Sequence, residues 1–505
     1  MAASMAILCA ACGTTAAPSP SPTVRATAIP TRAPTETATV APSPQPKQTA
    51  AVQRSPTASK TVVPTATSIL SPTRTPEVKV YDQSLVISTY PFAPFLESET
   101  HPLYGMTVFR LNRAAYDVSG PAPEPKTYQT LVVENAYLKL TFLPELGGRL
   151  YQCLFKPTNQ TLFYNNAVLK PSYWGPLPRD ENWWLAAGGL EWAFPVHEHG
   201  YEWGAPWEVS VRREGERVTV ALRRAAGAFQ AQVEVSLAAG ESRFTVEPRL
   251  KNVGDRAVPV QFWANAMLAP GGASVGPGLT FVFPASQAVV HSTGDPAIPG
   301  EHSAISWPVV DGRDLSRYAN WRNWLGVFAP EPLPPFFGVY DDRADVGVAR
   351  VVDGVGGVKL FGFGAEFPDI PTFTVDGSSY VELWAGANRT FWPEDDRLLQ
   401  PGESLGWREV WIPLAGTGGF TDATADAALR LQRDDDGLVL AAYSPVRRKA
   451  VLKLTAAGAG LLTRSLLLDP TDAYLEKIAA PATNGPLHLQ LFSEDGILLG
   501  ETALP

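Results

Sequence analysis

From Tyr81 to about residue 415, apolar residues recur at every second position in short runs, with turn residues between the runs. The alternation is plain in 130–143 (TLVVENAYLKLTFL), 207–224 and 231–253. A strand sends successive side chains to opposite faces, so each such run presents one apolar face to a core. Arg213-Glu214-Gly215-Glu216 and Ala239-Gly240-Glu241 stand between alternating runs and read as hairpin turns. A helical period is confined to 421–432 (TDATADAALRLQ), where a helix is expected. Many strands without alternating helices require a large antiparallel sandwich or barrel.

The alternation has sharp limits. No Phe, Trp or Tyr occurs before Tyr81, whereas 12 prolines do. Residues 13–78 are dominated by Thr, Ser, Pro and Ala, a composition that cannot bury enough apolar surface to offset its ordering entropy. This stretch is expected to be a disordered, extended linker. Ahead of it, 1–12 (MAASMAILCAAC) is a short apolar run ending in small residues before a cysteine. It resembles the end of a bacterial lipoprotein signal, which implies lipidation at Cys12 and an extracytoplasmic, cell-surface or secreted location. A second break falls at the glycine-rich 413–419. Beyond it, 420–505 reads as a small β unit with a packing or docking role. The expected organisation is thus a signal-like 1–12, a linker over 13–78, a large β domain over 79–415 and a small one over 420–505.

Charge and cysteine content exclude several functions. Residues before Tyr81 carry a net +5, so the remainder of this −9 chain is acidic. It lacks the basic stripe that phosphate backbones need, and nucleic-acid binding is not expected. No run of about 20 apolar residues is present, so contact with a membrane is expected only through the lipid anchor. Cys153 is left alone in the body and reads as a buried small hydrophobe. No Gly-x-Ser-x-Gly, phosphate loop, dinucleotide fingerprint or Cys-x-x-Cys occurs, which disfavours serine-hydrolase, phosphoryl and hydride chemistry. No cofactor is expected.

Six of the 14 tryptophans crowd into 173–207, among them Trp183, Trp184 and Trp192. Aromatic rings beside a few polar groups suit a sugar, whose apolar ring faces stack while its hydroxyls seek charged side chains. Within the same segment stand Glu191, His197 and His199. On an extended segment the two histidines would share a face, a spacing suited to metal ligands or to a proton donor beside a substrate-binding histidine. Glu191 and Glu202 are the only nearby further ligands, and no metal site is expected. His291 and His302 lie in a loop-rich stretch and read as structural or rim residues. Asp395-Asp396 could help hold calcium.

The run 134–150 (ENAYLKLTFLPELGGRL) resembles the opening strands of galactose mutarotase-like proteins. Several further stretches, in this order, resemble the DUF5107 family more closely: Gly188-Gly189-x-Glu191, Asn252-Val253-Gly254, 261–265 (QFWAN), 380–386 (YVELWAG) and Leu399-x-Pro401-Gly402-Glu403. The resemblance spans about 85–413 and implies a large two-sheet supersandwich. In aldose epimerases of this fold a late-strand carboxylate removes the anomeric hydroxyl proton while a histidine protonates the ring oxygen. Glu382 looks like that carboxylate, with His197 and His199 as candidate acids. Arg149, Trp183, Trp184, Glu191, Trp192, Asn265 and Trp384 are the expected substrate-binding residues. Three readings stay open: a carbohydrate-binding protein, an epimerase-like or polysaccharide-processing enzyme, and a stalked scaffold or adhesion domain.

Overall fold

The computed structural model describes residues 77–175, 177, 182–481 and 485–505. The signal-like segment with Cys12, the linker as far as residue 76, and Asp180-Glu181 lie outside these residues. The fold is all-β. Residues 79–415 build a sheet of 13 strands and a sheet of nine, with short two-stranded ribbons beside them. Both expected hairpins are present: Glu208–Glu214 pairs with Arg217–Ala226, and Phe229–Ala238 pairs with Phe244–Asn252.

In the larger sheet six strands lie side by side in the order Gln287–Thr293, Leu325–Phe328, Gly357–Gly362, Val381–Gly386, Trp263–Leu268 and Gly189–Ala193. Their alternation sorts side chains by parity. Leu190, Trp192, Ala264, Ala266, Leu360, Leu383 and Ala385 pack into the core with Val220, Val233, Val246, Val348 and Trp411 of the smaller sheet. The intervening residues face the opposite side, where Glu191, Asn265, Trp384 and Lys359 fall in one cross-strand row. Cys153 is fully buried, and burial pushes its thiol up.

One charged tie runs between the sheets. Arg350, on Val346–Asp353 of the nine-stranded sheet, makes two 2.7 Å hydrogen bonds to the Glu409 carboxylate and donates to the carbonyls of Leu383 and Ala264 in the larger sheet. Trp407 and Trp411 also donate their indole N–H groups to Glu409. The paired charges are wholly buried, so the Coulombic attraction and these donors must offset a large desolvation cost.

Close packing also constrains the end of the strand Val381–Gly386. A Cβ at Gly386 would sit 2.3 Å from Cδ2 of the buried Trp263 and 2.7 Å from the Phe262 carbonyl oxygen. Gly386→Ala is expected to lower stability by about 1–3 kcal/mol, read as a lower urea midpoint at unchanged slope. A midpoint equal to wild type would show that Trp263 can move aside.

The C-terminal residues form two four-stranded sheets that close on a leucine-rich core including Leu429, Leu440, Leu452 and Leu489. The helix expected at 421–432 is absent. Asp422–Ala423 and Ala428–Asp434 are strands, the latter paired along its length with Gly437–Tyr443. Ala428, Leu429 and Leu431 are buried there, and this tertiary pairing overrides the helix preference of an Ala/Leu-rich segment.

Candidate functional site

Gly188 and Gly189 open the strand that carries Glu191. Both have positive φ (95° and 76°), and a Cβ on either would run into the backbone of adjacent segments, 2.0 Å from the Tyr164 carbonyl oxygen at Gly188. Glycine thus lets the strand pass close enough for Arg149 to donate to the Gly188 carbonyl at 2.9 Å. Arg149 also donates to Leu146 O and Trp203 O and stands 3.5 Å from the Glu191 carboxylate.

Glu191 is the hub. Its Oε1 receives His199 Nδ1 at 2.6 Å and Asn265 Nδ2 at 3.2 Å, and its Oε2 receives the Trp184 indole N–H at 3.3 Å. Burial alone would push this carboxyl up; the His199 ring, with Arg149 and Asn265, outweighs it and holds the group below its ordinary range. Nδ1 of His199 is thereby committed to the carboxylate, and Nε2 is left for the cleft. The His199 ring is stacked on Trp184 with centroids 3.7 Å apart.

Across the cleft, Glu382 is 4% exposed and accepts the Trp384 indole N–H at 2.9 Å. Burial pushes its carboxyl up, only partly countered by His199 and Lys359. Lys359 pairs in register with Trp384 on the next strand. It is almost fully buried, and burial lowers its ammonium to about 8 against the opposing pull of Glu198 and Glu382. His291 completes this side; burial and the nearby Lys359 charge push it down to about 2, so the ring is neutral.

Of the residues expected from the sequence, Trp184, His199, Glu382 and Trp384 line one cleft directly, with Trp174, Phe361, Phe373 and Tyr380 as further aromatic walls. Glu191, Asn265 and Arg149 lie behind this lining as its hydrogen-bonded support.

Three residues do not line the cleft. Trp192 has the opposite strand parity from Glu191, packs between the sheets and donates to the Gly148 carbonyl. Trp183 donates to the Phe109 carbonyl and lines a separate cavity with Trp203, Tyr128 and Leu146. His197 is exposed, because 195–199 is a bend and turn in which Glu198 adopts φ 53°; the two histidines therefore do not share a face. Glu202 is buried and paired with Arg224, and Asp395 and Asp396 accept from Thr390 and Gln261. Among the described residues no three His, Cys, Asp or Glu gather into a group that could hold a metal ion.

The sequence reading missed Trp174, Lys359 and Tyr380, and it placed His291 in a loop. His291 lies in a strand and lines the cleft; His302 is stacked on Trp392 at 4.0 Å. The one available signal for Lys359 was a lysine inside the apolar run 358–361 (VKLF).

Residues 110–414, which contain nearly all of this site, match the family model described as a domain of unknown function, DUF5107. The chain belongs to the DUF5107 family. Residues 422–501 are similar to a second model, the second domain of YphG-like proteins. Among solved structures, the DUF5107 chain shares its fold with a TPR-domain containing protein from Parabacteroides distasonis, at 23% identity and TM-score 0.54. That match covers 67% of this chain and 56% of the other, so the chain spans about half the length of that protein. A galactose mutarotase-like protein from Clostridium acetobutylicum aligns at 10% identity and TM-score 0.40, covering 57% of this chain and 96% of that one. A galactose mutarotase related enzyme from Lactobacillus acidophilus aligns at 13% identity and TM-score 0.38, covering 57% and 97%.

Proposed function

We propose that the DUF5107 domain of this chain binds a carbohydrate in the cleft between His199 and Glu382, in a protein held outside the cytoplasm by a lipid on Cys12. The observation that carries the sugar reading is the composition of the cleft. Rings of Trp174, Trp184, Trp384 and Phe373 surround a carboxyl, an imidazole and an ammonium. Flat apolar walls with a few convergent polar groups match the two-sided chemistry of a pyranose. The location rests on the lipoprotein-like residues 1–12 and the linker composition.

Titrating the full chain with a panel of hexoses and oligosaccharides, followed by tryptophan fluorescence, is expected to give saturable changes that Trp384→Ala removes. A panel and a glycan array without a binder would leave the scaffold reading, in which the C-terminal sheets dock a partner.

A specific arrangement favours a second, catalytic reading. His199 is oriented by Glu191 at 2.6 Å and lines the same cleft as Glu382, so an oriented imidazole and a carboxyl pushed up by burial converge on one space. That is the pair an aldose needs for ring opening: a base at the anomeric hydroxyl and an acid at the ring oxygen.

A further inference from the structure

Lys359 holds a position that sugar hydroxyls alone do not account for. It is 3% exposed and lines the cleft. Among the described residues its ammonium has no hydrogen bond and no carboxylate within 4 Å. Its surroundings are rings: Nζ lies 4.1 Å from the Phe391 centroid, 5.3 Å from those of Phe361 and Trp384, and 5.8 Å from that of Phe328. Cation–π attraction offsets part of the desolvation cost of a buried charge, but an ammonium has three donors and rings satisfy them poorly.

The other charged groups of the cleft do not complete the pairing. Glu191 is matched by Arg149 and His199, and Glu382 already accepts from Trp384 and is held towards its neutral form by burial. Glu198 is part-exposed and lies 4.0 Å from the neutral His291. Buried charges in proteins are paired, and this one borders the cleft with rings as its nearest neighbours.

We infer that the ligand is an acidic sugar, a uronic acid residue, whose carboxylate seats on the Lys359 ammonium while its ring lies along Trp384. This inference rests on the reading of the cleft as a sugar site. Register places Lys359 directly opposite Trp384 on the adjacent strand, with Nζ 5.3 Å from the indole centroid, so an acidic ring at that indole has the ammonium within reach of its carboxylate. One ammonium set in rings matches a single negative charge. A phosphate dianion calls for several convergent donors, and Arg149 and Arg350 are both spent on internal carbonyls and carboxylates. With its ammonium at about 8, Lys359 is charged at neutral pH.

The test compares glucuronate and galacturonate with glucose, galactose and the neutral isostere glucuronamide, by calorimetry or ligand-detected NMR on the full chain at low salt. A charge-assisted contact at a desolvated ammonium predicts that a uronate binds about tenfold or more tighter than its amide. Lys359→Met is expected to erase that preference. The amide comparison needs no variant, so it stands even if Lys359→Met does not fold. Equal binding of uronate and amide by the wild-type chain overturns the inference and leaves the sugar site standing. A preference that survives in folded Lys359→Met also overturns it. Failure of every sugar, acidic or neutral, overturns both the inference and the sugar site beneath it.

Discussion

Glu191→Ala is expected to lower the free energy of unfolding by about 3–5 kcal/mol and to abolish sugar binding. The magnitude follows from what would be left behind. Arg149 is wholly buried and keeps its three carbonyl acceptors, but its charge would face no carboxylate. His199, Trp184 and Asn265 would lose a shared acceptor together, and Asn265 already has one buried carbonyl oxygen without a partner. Glu191→Gln retains an acceptor and the volume, so a smaller loss is expected. The two variants separate charge from hydrogen bonding. The pH dependence gives an independent check: the Glu191 carboxyl lies below its ordinary value of 4.5 in the fold, so the unfolded chain takes up its proton first on acidification. Its contribution is fully present above the unfolded value and is lost as pH falls through the folded one. The gap between wild type and Glu191→Gln should therefore be constant above about pH 5 and narrow below 4.5. Urea unfolding curves at several pH values measure both effects, and an Ala variant within 1 kcal/mol of wild type would remove Glu191 from the centre of the site.

Strand parity explains both what was legible and what was not. Period-two alternation is a backbone property written directly into the side-chain order, so the all-β sandwich and its hairpins could be read locally. The same rule separates neighbours in the site. Glu382 and Trp384 are two apart and share a face, and the structure brings both to the cleft. Glu191 and Trp192 are adjacent and cannot share one, so the strand that delivers the carboxylate to the support network sends the indole between the sheets. His197 and His199 satisfy the parity rule, but it applies only to extended backbone, and the left-handed Glu198 between them breaks the extension. Lys359 was hidden for a different reason. A lone lysine in a strand ordinarily faces water, and only the long-range pairing with Trp384 shows that its face is enclosed. The helix misread at 421–432 belongs to the same class, since the partner strand that decides the conformation is remote from the local pattern.

Glu382→Gln is expected to slow sugar anomer exchange at least 100-fold while leaving the fold intact. The substitution is isosteric, and a neutral amide oxygen can still accept the Trp384 indole N–H that the carboxylate holds at 2.9 Å. What disappears is a group able to take a proton from the anomeric hydroxyl. His199→Gln should give a loss of similar size through the opposite role, because with its Nδ1 proton held by Glu191 the ring gives up a proton from Nε2 only as the imidazolium, a form that an amide does not have. The pH profile distinguishes this from a structural effect. Burial pushes the Glu382 carboxyl above its ordinary value of 4.5, so its base form fills only at higher pH, and the acid limb of the exchange rate should sit above 4.5. Glu382→Gln should flatten that limb, a change that lost stability alone would not produce. Exchange-rate NMR on the saturated chain reads all three quantities. If Glu382→Gln binds sugar as wild type does and neither protein accelerates exchange, the oriented imidazole and the raised carboxyl serve only to grip hydroxyls, and the cleft is a binding site without a reaction.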